Sequence, residues 1–302
     1  SYPMCERTGE PLIYRAIPSF YVAVEKIKDM LVENNKTINW VPGHLKAGRM
    51  GKWLENARDW AISRNRFWGT PLPIWVCDKD EAHIECLGDI KTLEQKTDTK
   101  VTDLHKHHID HLTFKCESCD GTMKRVDEVF DCWFESGSMP YAQLHYPFEN
   151  KDRFESNFPA DFIAEGLDQT RGWFYTLSVL SAALFKKPAF KNVVVNGLVL
   201  ASDGRKMSKR WRNYTPPLDL IDDFGADSIR LYMLNSAILR GEDLKFSNDG
   251  VKETTRSVIL PIWNSLSFLS TYADADSWKP NLDLVDNAPK VSAELDLSLI
   301  HI

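Results

Sequence analysis

The sequence has few cysteines, no long apolar run and no excess of positive charge. Its 302 residues contain six unevenly spaced cysteines, which excludes a disulfide scaffold and predicts a reducing compartment. No run of eighteen apolar residues occurs, so the sequence predicts no membrane-spanning segment. Lys and Arg number 37 against 43 Asp and Glu, giving a formal net charge of -6. A diffuse nucleic-acid-binding surface is therefore disfavoured, and any polyanion must bind a local basic patch.

One basic patch lies at residues 204–217, "GRKMSKRWRNYTPP". It lacks the second glycine that a P-loop places directly before Lys-Ser, because Met207 separates Lys206 from Ser208. Phosphates would therefore be held by side chains rather than by backbone amides. Lys206 and Lys209 are three residues apart, so a tight turn could present both ammonium groups to one polyphosphate. The alternative is a solvated run of charge near a nucleic-acid surface.

Both ends of the chain are unusual for a complete protein. The sequence starts "SYPMC" without an initiator methionine, and it ends "LSLIHI" after a polar stretch. We expect the chain to be a fragment, and we expect residues 297–302 to be non-native.

The order of apolar segments predicts an α/β fold with about two domains. A helix-period stretch near residues 20–31 is followed by a loop, "NNKTINWVPG", at 34–43. Strand, helix, strand, basic loop and helix then follow at 160–166, 167–187, 191–200, 204–217 and 217–237, the last interrupted at Gly225. This alternation predicts a doubly wound parallel sheet, whose ligands bind beyond the carboxyl ends of the strands. From residue 247 onward the pattern is helical only, with an apolar stripe of Ile259, Ile262, Trp263, Leu266 and Leu269.

The segment "EGLDQTRGWF" at 165–174 places polar groups at a predicted strand-to-helix turn. Glu165 and Asp168 could accept hydrogen bonds from a pair of ribose hydroxyls, and Gly166 would let the backbone approach the sugar. Gln169 and Trp173 are one helical turn apart, so an amide oxygen would lie beside an indole wall. That pair suits a small amino acid with an apolar side chain. The alternative makes Asp168 an N-cap and Trp173 a core residue.

The segment "DCWFESG" at 131–137 places Trp133 before a predicted tight Ser-Gly turn. Trp133 would supply a second aromatic wall for the same amino acid. The alternative is that Trp133 is an ordinary core residue.

Cysteines mark a small hydrophilic insertion at residues 77–128. Cys116 and Cys119 have the CxxC spacing of a zinc ribbon, and Cys77 would begin a second pair. The residue three positions after Cys77 is Asp80, so His83 or Cys86 would have to complete the site. A zinc site and a ribbon held by packing alone both remain open.

Taken in order, "SRNRFWGTPLPIW", "DCWFESG", "EGLDQTRGWF" and "GRKMSKR" resemble the C-terminal half of the catalytic domain of isoleucyl-tRNA synthetases, a group of class I aminoacyl-tRNA synthetases. The resemblance covers nearly the whole chain, up to about residue 275. "KMSKR" resembles the family's KMSKS signature with Arg210 in place of the last serine, and with "MPYAQLHYPFEN" it resembles the eukaryotic cytosolic branch. The family's other ATP signature, His-Ile-Gly-His, does not occur here.

The resemblance implies the second half of a Rossmann-type doubly wound parallel sheet with a zinc-ribbon-like insertion. The implied parts are the trailing edge of an editing-domain insertion (1–45), the return into the catalytic domain (46–76), the Cys/His insertion (77–128), the second half of the catalytic domain (129–217), a stem-contact region (218–247) and the start of a helical anticodon-binding domain (248–296).

The resemblance also implies a role for each candidate residue. Lys206 and Lys209 would be catalytic, stabilising the triphosphate while the adenylate forms. The residues implied to bind ATP or the adenylate are Glu165, Gly166, Asp168, Asn196, Gly197, Met207 and Ser208. Those implied to bind the amino acid are Gln169, Trp133 and Trp173. The candidate metal ligands are Cys77, Cys116 and Cys119.

The reaction implied for the complete enzyme joins isoleucine to tRNA(Ile). It requires ATP with Mg²⁺, and Zn²⁺ is a candidate structural ion. The expected location is cytoplasmic, away from any membrane, with association into a multi-synthetase complex. Two other readings stay open: a non-catalytic RNA-binding module, and a sister synthetase for valine or leucine.

Overall fold

The computed structural model describes residues 2–5, 8–13, 15–208 and 210–279. It divides into two compact units: Ser1–Leu198 with Ala237–Glu242, and Val199–Ser236 with Asp243–Ile302. The functional domains expected from the sequence are finer than this division and stay predictions. The expected non-native tail, 297–302, lies outside the described residues.

The first unit combines short strands with helices. Its strands are Tyr21–Val22 (β1), Asn39–Val41 (β2), Trp60–Ala61 (β3), Ser63–Arg64 (β4), Ile74–Cys77 (β5), Ile84–Cys86 (β6), Thr113–Lys115 (β7), Thr122–Arg125 (β8), Val129–Phe130 (β9), Ala160–Gly166 (β10) and Phe190–Asn196 (β11). Its α-helices are Lys28–Thr37 (α1), Lys52–Glu55 (α2), Ile90–Thr97 (α3), Lys106–Ile109 (α4), Cys132–Ala142 (α5), Lys151–Asn157 (α6) and Trp173–Phe185 (α7). Single turns of 3₁₀ helix lie at Val24–Ile27, Leu167–Arg171 and Ala237–Arg240, and a π-helical turn lies at Lys46–Gly51.

A parallel sheet in the order β10-β11-β2 forms the centre of this unit. Strand β11 lies in the middle, and its Val193 and Val195 are fully buried. Valine is β-branched and therefore packs well in a strand that is covered by neighbouring elements. The strands predicted at 160–166 and in the valine run are thus confirmed, as is their parallel arrangement.

Strand β2 corrects the sequence prediction of a loop at 34–43. Asn39–Val41 pairs with β11, and Trp40 packs edge-on against Phe174 with ring centroids 6.0 Å apart. A three-residue strand flanked by Asn, Lys, Pro and Gly carries little local signal. Burial of Trp40 in the core overrides the loop-forming composition around it.

Helix α7 crosses between β10 and β11 and is buried along most of its length. The apolar part of the helix predicted over 167–187 is therefore confirmed as a buried α-helix. Phe174 and Val179 are fully buried and belong to the main hydrophobic core. Complete burial of one such side chain stabilises the fold by about 1.5–3 kcal/mol.

Three other local predictions are wrong. The helix expected over 167–187 is a 3₁₀ turn and then α7, separated at Gly172, whose backbone leaves helical geometry. The strand expected over 191–200 ends at Asn196, because the backbone of Glu242 crowds Gly197. The Ser-Gly turn expected after Trp133 does not exist, since Ser136 and Gly137 lie inside α5.

The predicted insertion has its own antiparallel sheet, in the order β6-β5-β8-β7, and its own small core. Trp75 is buried at the centre of that core, and its Nε1 donates a hydrogen bond to the Leu112 carbonyl at 3.1 Å. Asp89 caps α3 by accepting from the Thr92 amide at 2.8 Å. The sheet begins with β5 at Ile74, slightly before the composition changes at Cys77.

The second unit is mainly helical. Its strands are Val199–Leu200 (β12) and Leu244–Lys245 (β13), its α-helices are Pro217–Phe224 (α8), Ala226–Leu234 (α9), Asn248–Thr254 (α10) and Leu260–Ala275 (α11), and a π-helical turn lies at Thr255–Ile259. The predicted interruption at Gly225 is confirmed, with φ at 78° between α8 and α9. The apolar stripe of the last helix is exposed, as at Trp263, which is 66% accessible. Within the described ranges, no helix is long and apolar enough to cross a bilayer.

Candidate functional site

The carboxyl end of β10 carries the predicted ribose-binding group. Glu165 and Gly166 are its last two residues, and both Glu165 and Asp168 are exposed. A Cβ on Gly166 would lie 2.7 Å from Asp168 Oδ1, so only glycine lets this carboxylate fold back over the strand end. Gln169 Nε2 donates to Asp168 Oδ2 at 2.9 Å and holds it there.

Asn196 and Gly197 lie beside this turn. Gly166 is the register partner of Asn196 across the parallel pair, so both strands end at the same edge. Within the described part of the chain, the buried Oδ1 of Asn196 has no hydrogen-bond partner. A Cβ at Gly197 would lie 1.8 Å from the Glu242 carbonyl oxygen, so this position requires glycine. The strand end therefore combines two carboxylates with an unused amide oxygen.

Gln169 and Trp173 are linked through the backbone. Gln169 Oε1 accepts a hydrogen bond from the Trp173 amide at 2.9 Å, so Gln169 rather than Asp168 caps α7. An amide oxygen has two lone pairs, and the second stays available to an ammonium group. The Trp173 indole is half-buried, and its Nε1 donates to the Ser136 carbonyl at 3.0 Å. Trp173 thus has one side in the core and links α7 to α5.

Gly172 lets Trp133 approach this group, a role that no sequence pattern indicated. A Cβ on Gly172 would lie 2.6 Å from Gln169 Oε1 and 3.0 Å from Trp133 Cη2. Trp133 is 40% exposed and so is not the core residue of the alternative interpretation. The Asp131 carboxylate fixes the start of α5 by accepting from the Trp133 amide at 3.2 Å. The structure therefore brings together Trp133, Gln169 and Trp173.

The basic loop belongs to the second unit and is folded rather than extended. Asn213 organises it, because Oδ1 accepts from the Ser208 amide at 2.9 Å and Nδ2 donates to the Lys206 carbonyl at 3.2 Å. The hydrogen-bonded Arg205 guanidinium holds the pKa of Asp203 below its ordinary value. This pairing takes Arg205 out of the set of free cations, while Lys206 is exposed.

Of the predicted site residues of this loop, the structure describes Met207 but not Lys209. The Met207 side chain lines an apolar cavity of the second unit together with Val199, Leu220 and Phe246. Its side chain therefore anchors the loop. Lys209 lies outside the described residues.

The predicted metal ligands meet in the insertion. Cys77, Cys116, Cys119 and His83 place their ligand atoms within 4.8 Å of one another. Cys77 Sγ lies 3.4 Å from Cys119 Sγ, and Cys116 Sγ lies 3.5 Å from His83 Nδ1. His83, one of the two alternatives to a fourth cysteine, is the residue that joins the cluster, whereas Cys86 is exposed on β6.

The surroundings of this cluster suit a bound ion. The Lys79 amide, which donates to Cys77 Sγ at 3.4 Å, lowers the pKa of Cys77 to about 7. A Cβ at Gly121 would lie 2.3 Å from Cys77 Sγ, so glycine keeps the space between the thiols open. Three cysteines and one histidine form a common structural zinc set.

Comparison with known proteins places the chain in a family. The family described as "tRNA synthetases class I (I, L, M and V)" matches residues 7–247, which is most of the sequence. The chain belongs to the class I tRNA synthetases. Its α/β fold is accordingly that of their catalytic domain.

This class I synthetase chain is similar to proteins named isoleucine--tRNA ligase. It is 59% identical to one from Treponema denticola over 93% of this chain and 25% of that protein. It is also 59% identical to a cytoplasmic one from Arabidopsis thaliana, over 89% of this chain and 23% of that protein. The chain thus spans about a quarter of the length of these relatives.

Solved class I synthetases share the fold at low sequence identity. A methionyl-tRNA synthetase from Mycobacterium tuberculosis, in complex with methionyl-adenylate, aligns with a TM-score of 0.62 at 17% identity over 99% of this chain and 48% of that one. A LeuRS from Agrobacterium radiobacter, in a ternary complex with tRNA and LeuAMS, aligns with a TM-score of 0.51 at 22% identity over 67% and 27%.

Proposed function

We propose that this chain is part of a longer isoleucine--tRNA ligase, which activates L-isoleucine with ATP and transfers it to tRNA(Ile). One observation carries the proposal: a single turn after β10 holds Asp168 and Gln169 next to Glu165, with Trp133 and Trp173 beside them. Carboxylates for a ribose, an amide for an ammonium group and indoles for a hydrocarbon match an aminoacyl-adenylate. The identity of 59% to proteins named isoleucine--tRNA ligase selects isoleucine among the apolar amino acids.

In the proposed first step, an isoleucine carboxylate oxygen attacks the α-phosphorus of ATP. The new bond joins that oxygen to phosphorus, the bond to the β-phosphate bridging oxygen breaks, and pyrophosphate leaves with the electron pair. The carboxylate is already ionised at neutral pH, so no protein base is required. Catalysis then depends on positioning the reactants and on placing positive charge where the leaving group gains negative charge.

The chain's own residues have separate parts in this step. Glu165 and Asp168 hold the ribose hydroxyls, Gly166 lets Asp168 fold over the strand end, the Gly197 backbone lies beside the nucleotide, and Asn196 Oδ1 accepts a hydrogen bond from it. Gln169 Oε1 orients the substrate ammonium group, and the two indoles cover the aliphatic side chain. Lys206 and Lys209 stabilise the departing pyrophosphate, which Mg²⁺ accompanies, and Ser208 supports that loop. In the second step a ribose hydroxyl at the tRNA end attacks the adenylate carbonyl and releases AMP.

The test is amino-acid-dependent exchange of pyrophosphate into ATP by the longer protein. Isoleucine should support exchange at lower concentration than valine or leucine. Exchange that prefers valine or leucine would identify a sister enzyme, and no exchange with any amino acid would favour a non-catalytic RNA-binding module. The 302-residue chain alone should give no exchange, because it lacks a His-Ile-Gly-His motif.

We also propose that Cys77, His83, Cys116 and Cys119 hold one structural zinc ion in a ribbon-like insertion. The ion would tie β5 to the turn between β7 and β8, and it takes no part in the reaction. Purified protein should contain about one zinc per chain by elemental analysis. Cys116→Ser should lose it, whereas the matched change Cys86→Ser should keep it; equal zinc content in both variants would contradict the assignment.

Three finer features of the longer protein belong to the same proposal. The helices from Asn248 onward would begin an anticodon-binding domain, whose remaining helices cover the exposed stripe of α11. The protein would act in the cytoplasm, and it would associate with other synthetases in a multi-synthetase complex.

A further inference from the structure

A second basic surface lies on the first unit, away from the basic loop in sequence. It is an open groove of about 530 Å³, which we call the basic groove. It is lined by Gly48, Arg49, Lys52, Trp53, Asn56 and Arg171. None of these residues has a part in the proposed adenylate site.

The sequence explains why these side chains share one surface. Arg49, Lys52, Trp53 and Asn56 are spaced at i, i+3, i+4 and i+7, which is one face of a helix. They extend from the π-helical turn Lys46–Gly51 into α2. Arg171 is the last residue of the 3₁₀ turn that follows β10.

The three cations of the groove form no ion pair within the part of the chain that the structure describes. No carboxylate of the described residues lies within 4.0 Å of the charged groups of Arg49, Lys52 or Arg171. In a chain with 43 acidic and 37 basic residues, a cluster of three such cations needs a reason. An anionic ligand would supply the missing negative charge.

Both arginines are held in place before any ligand arrives. Arg49 Nε donates to Thr170 Oγ1 at 2.8 Å, and Thr170 is fully buried. The Arg171 guanidinium lies 5.0 Å from the ring centre of Trp53. Side chains fixed in this way lose less conformational entropy on binding, and each guanidinium keeps N–H groups that match a phosphate.

The form of the groove favours an RNA backbone over a free nucleotide. Its cations are spread along an open helical face, which matches a row of backbone phosphates better than one compact triphosphate. The 3₁₀ turn also carries Asp168 and Gln169 three and two residues before Arg171. An RNA strand held in the groove would therefore pass next to the proposed aminoacyl site.

We propose that the basic groove binds backbone phosphates of the transfer RNA near its aminoacylated end. This inference rests on the proposed function and adds the surface that positions the RNA. Arg49, Lys52 and Arg171 are positioning residues, since they contact phosphates rather than the reacting atoms. Because phosphate contacts carry no sequence information, the groove would hold the RNA without selecting its sequence.

The test compares Lys52→Gln with the matched control Lys26→Gln in the 302-residue chain. Both lysines are exposed, lie in the first unit and form no ion pair with the residues that the structure describes, so neither change should affect folding. Filter binding of a tRNA(Ile) transcript is measured between about 50 and about 200 mM salt. Lys52→Gln should weaken binding about tenfold, as expected for one lost charge-assisted contact. It should also reduce the slope of log Kd against log salt by about 1.

Equal affinities for the wild-type chain and Lys52→Gln would overturn the inference, as would an equal loss in Lys26→Gln. Tripolyphosphate is added as a competitor of the RNA. If it binds the wild-type chain but not Lys52→Gln, and displaces the RNA at the concentrations at which it binds, the groove belongs to a nucleotide instead. Assays of the longer protein distinguish a wrong groove assignment from a wrong proposed function. If it activates isoleucine but Lys52→Gln leaves its KM for tRNA unchanged, only the groove assignment is wrong. If it activates no amino acid, the proposed function is wrong.

Discussion

The change Gly172→Ala tests whether Gln169 and Trp133 form the amino-acid site. A methyl group at this position would lie 2.6 Å from Gln169 Oε1, so that side chain must shift, and 3.0 Å from Trp133 Cη2, so the indole must give by a few tenths of an ångström. Both side chains must therefore move away from the segment between the 3₁₀ turn and α7. Of the two carboxylates proposed to hold the ribose, Glu165 lies on β10 outside this contact, and Asp168 loses only its hydrogen bond from Gln169 Nε2.

The size of the effect follows from the hydrogen bonds that Gln169 loses. A hydrogen bond to a charged ammonium group contributes about 1.5–3 kcal/mol, which corresponds to roughly 10- to 100-fold in binding. Loss of the Gln169 cap on the Trp173 amide, a neutral bond of 2.9 Å, costs on the order of 1 kcal/mol of stability. The variant should therefore fold but bind isoleucine poorly.

The assay is pyrophosphate exchange by the longer protein, with the KM for isoleucine and for ATP measured separately. Gly172→Ala should raise the KM for isoleucine by about 10- to 100-fold and change that for ATP much less. Gly88→Ala is the matched control, because a Cβ at Gly88 would meet no atom within 4 Å. Equal increases in both KM values, or no change in either, would refute the assignment of Gln169 and Trp133 to the amino-acid site.

Two further changes test the loop and the core. Lys206→Ala in the longer protein should slow adenylate formation far more than it weakens isoleucine binding, and an unchanged single-turnover rate would count against this role. Phe174→Ala should lower the free energy of unfolding of the chain by about 3–5 kcal/mol, because Phe174 is fully buried between Trp40 and Phe190. Leu184→Ala, on the exposed side of the same helix, should change it far less in denaturant titrations.

The parts of the fold with strong local patterns were predictable from the sequence. The composition of the valine run in β11 and of the apolar stretch in α7 is enough to predict a buried strand and a buried helix. Gly225 marks the break between α8 and α9 because a positive φ costs glycine little. Strand β2 was not predictable, since it depends on the burial of Trp40 in a core formed by residues that are distant in sequence.

The residue types of the candidate site were predictable, but the residues that hold them in place were not. Glu165, Asp168, Gln169 and Trp173 are adjacent in sequence, so a local turn is enough to bring them together. Gly172 was missed because its role depends on Trp133, which is 39 positions away by residue number and approaches only in the folded chain. The fourth ligand of the metal cluster could not be predicted for the same reason. The spacing left His83 and Cys86 as alternatives, and only the folded sheet brings His83 to the thiols.

In the proposed enzyme, one strand end holds both the sugar and the amino acid of isoleucyl-adenylate. A crystal structure of the longer protein with a non-hydrolysable isoleucyl-adenylate analogue tests it most directly. We expect the ribose hydroxyls within hydrogen-bond distance of Glu165 and Asp168, and the ammonium group within hydrogen-bond distance of Gln169 Oε1. An analogue bound with its ribose and its amino group away from the turn at 165–169 would contradict it.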